Sequence, residues 1–430
     1  GAHGGLVIAV ADDPSMHSSQ NEQDSRVFAA FAQVMAFEPS DIQEAYDMTR
    51  EAFSLSEKLR TPVVLRLTTM LAHSRSTLVR QAAEPAAAPS LPDDTTHFML
   101  IPMYARKNWA LLVEKQNAFQ EASATSRFNT FEDGPDHSLG IVAAGVAYSY
   151  ARDCLQGETP QHPILKIGQY PLPETALREL AASCDALLVL EDGSPMIEGM
   201  LKGLLPNDGP EVKGRLDGSL PRCGELLPDA VARAIGMPAE QALAPQQAPV
   251  RMPKLCDGCP HVASLGFVQE AMSGFPDGRV FSDIGCYALG LLPPIALEGT
   301  CVNMGASITM AKGFSDGGLG PALAVIGDST FAHSGMTALL DAISEQSPIT
   351  VVILDNGTVA MTGWQSSPVA GKIDSICLGL GGGPEQVKTL TPIPKNHGAN
   401  VAVLRDALAH RGVSVIIAQR ECLHGQGAKR

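Results

Sequence analysis

A chain of 430 residues, 45% apolar and 18% charged, is long enough for two or three packed domains and too apolar for a disordered protein. Its formal charge of −15, with no basic block, excludes nucleic acid and an anionic membrane surface as partners. No apolar run reaches the length of a membrane span, and the nine cysteines, an odd number without a disulfide-framework spacing, read as thiols of a reducing, cytoplasmic compartment.

In chain order, Leu6–Val10 is an apolar run that predicts a strand buried on both faces. The segment Ser15–Arg26 is polar almost throughout and reads as a loop at the carboxyl edge of a sheet. Ile42, Ala45, Tyr46, Met48, Phe53 and Leu55 predict an amphipathic helix over Ile42–Leu59, and Pro62–Leu67 predicts a second buried strand. Gln81–Pro92 is an Ala/Pro-rich linker, and His97–Phe128 reads as a strand-like start before a long mixed helix. Strands at Leu139–Val142, Ile164–Ile167 and Ala186–Leu190, separated by helices at Ala147–Leu155 and Glu174–Ala182 and followed by one at Pro195–Leu204, predict a small parallel-sheet domain. Gly140 and Gly145 lack the pattern of a phosphate loop. Glu191 and Asp192 follow a strand and read as structural or interface residues. Pro238–Pro253 is a second linker.

The last stretch holds the residues with the clearest chemistry. Ala322–Ile326 and Ile349–Leu354 are short apolar runs without polar alternation, separated by helical spacing over Met336–Glu345. That is a βαβ unit, whose strands are parallel and near one another. Asp328 follows the first strand and Asn356 the second, so both fall at the carboxyl edge, where open α/β sheets bind ligands. A carboxylate and an amide oxygen there suit Mg²⁺, which completes its shell with water and phosphate oxygens; Gly357 lets the backbone turn close by. Cys256-Asp257-Gly258-Cys259 precedes a helical run at Ala263–Met272, Cys286 follows strand Arg279–Phe281, and Cys422 follows strand Val413–Ala418. Four such thiolates suit an iron–sulfur cluster or zinc. Cys301 is a substitute fourth ligand, and Cys154, Cys184, Cys223 and Cys377 read as isolated thiols.

Gly327-Asp328-Ser329, a 25-residue gap and Asp355-Asn356 resemble the thiamine-diphosphate motif, and Met361-Thr362-Gly363-Trp364-Gln365 resembles a run of the 2-oxoacid:ferredoxin oxidoreductases. The chain most resembles the alpha-subunit family of indolepyruvate ferredoxin oxidoreductases over nearly its whole length. It departs from the motif at Ser329 and Asp355, where Gly and Asn are usual; neither is a proposed ligand. The resemblance implies an α/β protein with parallel-sheet thiamine-diphosphate-binding domains and a smaller transketolase-C-like α/β domain between them. Residues 1–75 are then the later half of a pyrimidine-binding domain, 76–250 the linker and transketolase-C-like domain, and 251–430 the diphosphate-binding domain.

The implied chemistry is oxidative decarboxylation of an aryl pyruvate with coenzyme A to acyl-CoA and CO₂, electrons passing to ferredoxin. The implied partners are a beta subunit, ferredoxin, coenzyme A and the 2-oxoacid, in an oligomer. By the resemblance, Asp328, Asn356 and the Thr358 backbone oxygen hold Mg²⁺. Gly305, Gly327, Asp328, Ser329, Asn356, Thr358, Thr362 and Gly363 contact thiamine diphosphate. Cys256, Cys259, Cys286 and Cys422 hold a [4Fe-4S] cluster, and Arg26 grips the substrate carboxylate with its guanidinium fork. His261 and His333 stand beside these sites as candidate proton carriers. The family's carboxylate beside the aminopyrimidine, and its carboxy-terminal ferredoxin module, have no counterpart here, so this stretch is expected to be a fragment, inactive alone. A non-oxidative thiamine-dependent decarboxylase or lyase shares the magnesium motif without needing a cluster, and a non-catalytic binding module is the other class.

Overall fold

The computed structural model describes residues 2–83, 92, 94–155, 157–206, 208–237, 253–297 and 299–424. Both expected linkers lie outside the described residues, except for residues 81–83, Pro92 and Pro253, as does the chain after His424. The chain forms two compact units, Gly1–Gln246 and Gln247–Arg430. The architecture is α/β with mostly parallel sheets, as expected. Among the described residues, no helix is long and apolar enough to cross a membrane.

The first unit carries strands β1 (Val7–Asp12), β2 (Met35–Phe37), β3 (Val63–Thr68), β4 (Phe131–Glu132), β5 (Gly140–Ala144), β6 (Ile164–Ile167), β7 (Gln169–Tyr170), β8 (Ala186–Leu190) and β9 (Glu211–Lys213). One sheet has the order β1-β3-β2-β7, the other β4-β6-β5-β8-β9. β7 pairs antiparallel with β2, so a strand from the later part of this unit completes the sheet built by its first seventy residues.

Three expectations differ from the structure here. β1 is an edge strand and Ile8 is exposed, whereas its apolar run reads as buried on both faces; composition cannot distinguish an edge strand from a central one. The polar segment ends earlier than Arg26: a helix spans Ser25–Ala32, with the Asp24 carboxylate accepting from the Arg26 backbone N–H at its start. No strand precedes the long helix Pro102–Ala124; only a single tight turn, Thr95–Phe98, does. Phe98–Ile101 has strand-like composition but no partner strand, and Pro102 suits the first helical position.

Buried ion pairs hold the carboxyl ends of these two sheets together. Arg26, 1% exposed, donates from Nε to Asp24 at 2.8 Å, from Nη1 to Glu191 at 2.9 Å, and from Nη2 to Asp24 at 2.5 Å and to the Ser194 carbonyl at 3.0 Å. Arg66, at the heart of β3, donates to Asp12 at 2.6 Å, to Glu38 at 2.5 Å and to the Asp192 carbonyl at 3.1 Å. Tyr170 donates to the other Glu38 oxygen at 2.5 Å. The Glu191 carboxylate is thus engaged in this network, in line with a structural role, and Asp192 joins it through its backbone carbonyl.

The second unit carries β10 (Arg279–Phe281), β11 (Ala322–Gly327), β12 (Ile349–Asp355), β13 (Thr358–Val359), β14 (Gln365–Ser366), β15 (Val387–Leu390) and β16 (Ser414–Gln419). Its main sheet is parallel, in the order β10-β11-β12-β16-β15. Helices Ala306–Asp316, Met336–Ser344 and Ile373–Gly379 pack on one face against Ala324, Ile326, Val351 and Ile353. Pro260–Met272 and His397–Ala409 pack on the other against Leu323, Val325, Val352 and Leu354. Both faces are covered, which is why the central strands read as unbroken apolar runs.

Because breaking a buried pair leaves an uncompensated charge, Arg26→Met should lower the unfolding free energy of the chain by about 3–5 kcal/mol, read by urea unfolding. A loss under about 1 kcal/mol would show that the cluster does not hold the two sheets.

Candidate functional site

β11 and β12 are neighbours in register, Gly327 opposite Leu354, so Asp328 and Asp355 lie side by side where the strands end. Asp328 is buried and opens a short helical turn that widens over Phe331–Gly335 before helix Met336–Ser344. Its Oδ1 accepts from the Ser329 N–H at 2.6 Å and its Oδ2 from the Gly357 N–H at 3.1 Å. Asn356 Oδ1 accepts from the Thr358 N–H at 3.2 Å. The turn that holds Asn356 is therefore bonded to Asp328, and Gly357 makes that turn possible by adopting φ +72°. A cleft opens over this turn, lined by His261, Gly285, Asp328, Ser329, Asn356 and Thr358 among others.

The electrostatics of the turn are unbalanced. Burial pushes the Asp328 carboxyl above the usual range against the Ser329 hydrogen bond, and the neighbouring Asp355 charge adds to the rise. Asp355 is also buried, its Oδ2 accepting from Gln419 Nε2 at 2.8 Å. Neither carboxylate has a Lys or Arg partner among the described residues. A buried, oxygen-only donor set carrying uncompensated negative charge fits a hard divalent cation such as Mg²⁺.

Tyr287 braces the floor of the cleft. Its buried hydroxyl accepts from the Gly327 N–H at 2.9 Å and donates to the Ile284 carbonyl at 3.0 Å. A Cβ on Gly285 would lie 2.5 Å from the Tyr287 ring and one on Gly327 2.9 Å from it, so both glycines are needed for the close approach. His261 lies edge-on to the same ring, with centroids 5.9 Å apart. Burial drives His261 down to about 4, so the imidazole is neutral, and its Nε2 stands 3.3 Å from Asn356 Nδ2. Asp283, fully buried, accepts from the N–H groups of Gly305 at 3.0 Å and Ser307 at 3.0 Å, which fixes the start of helix Ala306–Asp316.

Cys256, Cys259, Cys286 and Cys422 line one adjoining cavity, together with His261 and Asn356. β16 pairs with β12, so the segment after it returns beside Asn356, whose carbonyl accepts from the Cys422 N–H at 3.1 Å. Cys259 caps the start of helix Pro260–Met272. Burial pushes the Cys259 and Cys286 thiols up, and charge on the other cysteines adds to both shifts. Among the described residues, no three His, Cys, Asp or Glu side chains are grouped so that they could hold a single metal ion. The four cysteines instead border one cavity. Cys301 does not line it; its sulfur lies 3.8 Å from the Asp283 carbonyl.

Other residues singled out from the sequence lie elsewhere. Arg26 is committed to Asp24 and Glu191 within the first unit, so its guanidinium has no free fork for a substrate carboxylate, which corrects that reading. His333 is exposed, its Nδ1 3.2 Å from Ser334 Oγ. Thr362 and Gly363 form the exposed turn between β13 and β14, where Thr362 donates to Gln365 at 2.7 Å, and neither lines the cleft. The Gly305 N–H is taken by Asp283. Sequence reasoning missed the roles of Asp283 and Tyr287, because a buried cap and a bracing hydroxyl carry no spacing signature.

Residues 283–418 match the family model of the thiamine pyrophosphate enzyme C-terminal TPP-binding domain, which places Asp328 and Asn356 within a thiamine-diphosphate-binding domain. A protein named indolepyruvate oxidoreductase subunit IorA from Archaeoglobus fulgidus is 34% identical over 98% of this chain and 71% of its own length. The one of that name from Methanothermobacter marburgensis is 36% identical over 100% of this chain and 73% of its own. Among solved structures, a 2-oxoglutarate:ferredoxin oxidoreductase from Magnetococcus marinus aligns with 41% of this chain and 66% of its own at 18% identity, with a TM-score of 0.33, too loose a likeness to carry weight.

Tyr287→Phe would leave the buried Gly327 N–H without its acceptor. It should cost about 1–3 kcal/mol of stability in urea unfolding; a loss under about 0.5 kcal/mol would show that the hydroxyl is not the brace.

Proposed function

The chain belongs to the family of IorA subunits of indolepyruvate oxidoreductases, and from that premise we propose that it takes part in the oxidative decarboxylation of an aryl 2-oxoacid of the indolepyruvate type. In this reading coenzyme A accepts the acyl group, ferredoxin the electrons, and a beta subunit completes an oligomeric enzyme. The observation that carries the proposal is the contact between the turn holding Asn356 and the buried Asp328 carboxylate, which has no Lys or Arg partner among the described residues.

Asp328 and Asn356, with the Thr358 backbone oxygen, would hold Mg²⁺ and through it the diphosphate of the cofactor. Gly327, Ser329 and Gly357 would let the backbone lie close to the phosphates. Thiamine diphosphate, when bound, supplies the carbanion chemistry of 2-oxoacid decarboxylation. Cys256, Cys259, Cys286 and Cys422 would hold an iron–sulfur cluster. Asn356 lines both cavities, so the metal site and the cysteines share a wall. That shared wall supports an oxidative reaction over a non-oxidative decarboxylase or lyase, which has no use for the cysteines.

Two measurements test the proposal. Protein purified without oxygen should contain about four iron atoms per chain at this site, and Cys286→Ser should lower that content; complete absence of iron would favour the non-oxidative reading. Asp328→Ala should weaken Mg²⁺-dependent binding of thiamine diphosphate by more than about 100-fold, since loss of an outer-shell partner alone costs 10–100-fold. Unchanged binding in that variant would remove Asp328 from the metal site.

A further inference from the structure

A metal-binding asparagine has a weakness that a carboxylate lacks: its two ends differ. Turned one way the amide offers oxygen to a cation; turned the other way it offers an NH₂ group, which repels the cation. Something in the protein must decide between them.

Two contacts on Asn356 do so, and they agree. Oδ1 accepts from the Thr358 N–H at 3.2 Å, and Nδ2 lies 3.3 Å from His261 Nε2. The first contact holds the oxygen within the turn whose Gly357 N–H donates to Asp328. The second requires His261 Nε2 to be without its proton, so that it accepts. An imidazole with a proton on Nε2 would instead call for the amide oxygen, and the flipped amide would set its NH₂ against the Thr358 N–H, donor facing donor. His261 is itself held by several contacts. It is 4% exposed, sits in the first turn of helix Pro260–Met272 and lies edge-on to Tyr287, whose hydroxyl is anchored on Gly327 and Ile284.

We propose that His261 is a positioning residue that accepts from the Asn356 side-chain amide and thereby keeps its oxygen turned toward the divalent cation. The proposal rests on the reading of Asp328 and Asn356 as the metal ligands, and adds a role for a histidine that would otherwise read as a proton carrier. Its place in the first turn of helix Pro260–Met272, which Cys259 caps, ties the orientation of the amide to the element that follows two of the four cysteines.

The test uses the full chain and reads binding, not turnover. Mg²⁺ is titrated at saturating thiamine diphosphate in the wild type and in His261→Phe, His261→Gln and Asp328→Ala, with unfolding of the metal-free proteins followed in parallel. His261→Phe keeps an aromatic ring against Tyr287 but removes the acceptor, and should weaken the apparent Mg²⁺ affinity about tenfold. His261→Gln offers a carbonyl acceptor and should stay within about twofold of wild type. In an Asn356→Asp background, where both ends are oxygen, His261→Phe should change Mg²⁺ affinity less than about twofold. Wild-type affinity in His261→Phe, or an equal loss in Phe and Gln, would overturn the proposal. Should His261→Phe fail to fold, His261→Gln decides alone: retention supports the proposal and a tenfold loss overturns it. Asp328→Ala separates the two levels, because undiminished binding there would refute the metal assignment itself and not merely the role of His261.

Discussion

The hydrogen bond from the Gly357 N–H to Asp328 Oδ2 is the constraint on which the site depends. It crosses from the end of β12 to the residue after β11, so it exists only because those strands are parallel neighbours with Gly327 opposite Leu354. A slip of one residue would turn every side chain of a strand to the opposite face, and with both faces buried the sheet would lose its packing. The apolar runs that make the sheet also set its register, and the register bonds a carboxylate to the turn that holds an amide. The same sheet order places β10 on one side of this pair and β16 on the other. The segments carrying Cys286 and Cys422 arrive at the same edge from those two strands.

The two units treat buried acids in opposite ways. In the first, Asp12, Asp24, Glu38 and Glu191 lie at or near strand ends and helix starts, and Arg26 and Arg66 reach all four. Each of those acids has an arginine partner, and the two arginines are consumed in holding them. In the second unit, Asp328 and Asp355 lie at the carboxyl edge of the sheet with no arginine or lysine partner among the described residues. Burial and mutual repulsion leave Asp328 with a raised carboxyl. An uncompensated buried acid is costly to a folded protein, and that cost makes this edge, not that of the first unit, the one suited to a cation. The contrast also explains why Arg26 is unavailable to a substrate: its burial is the counterpart of the acids around it.

Much of this was legible in the amino-acid sequence. Unbroken apolar runs at Ala322–Ile326 and Ile349–Leu354, with helical spacing between them, announced two adjacent parallel strands and put Asp328 and Asn356 at the same sheet edge. The cysteine spacing anticipated a shared cavity because each cysteine follows a strand or starts a helix. What could not be read was set by tertiary packing. β15, at Val387–Leu390, is a short edge strand containing Lys388 and Thr389, too polar to stand out. Leu6–Val10 has the composition of a core strand but an edge position. Thr362 and Gly363 lie in an appealing motif, yet the tight turn between β13 and β14 carries them out of the cleft. Arg26 looked available because sequence shows a guanidinium but not the acids that surround it, and Glu191 is 165 residues away.

Asn356 draws these features together. Its side chain borders the cleft over Asp328, and its backbone carbonyl receives the Cys422 N–H beside the second cavity. Its amide meets His261, two residues beyond Cys259, and the His261 ring rests against Tyr287, the residue after Cys286. Every cysteine-bearing segment is thus within one or two contacts of this residue. The wall they form has little slack, because a Cβ on Gly285 or Gly327 would drive into the Tyr287 ring. A site for a charged cofactor and a cavity edged with sulfur are therefore not two features that happen to be close. They are two faces of one packed wall, and the geometry of each is fixed by the residues of the other.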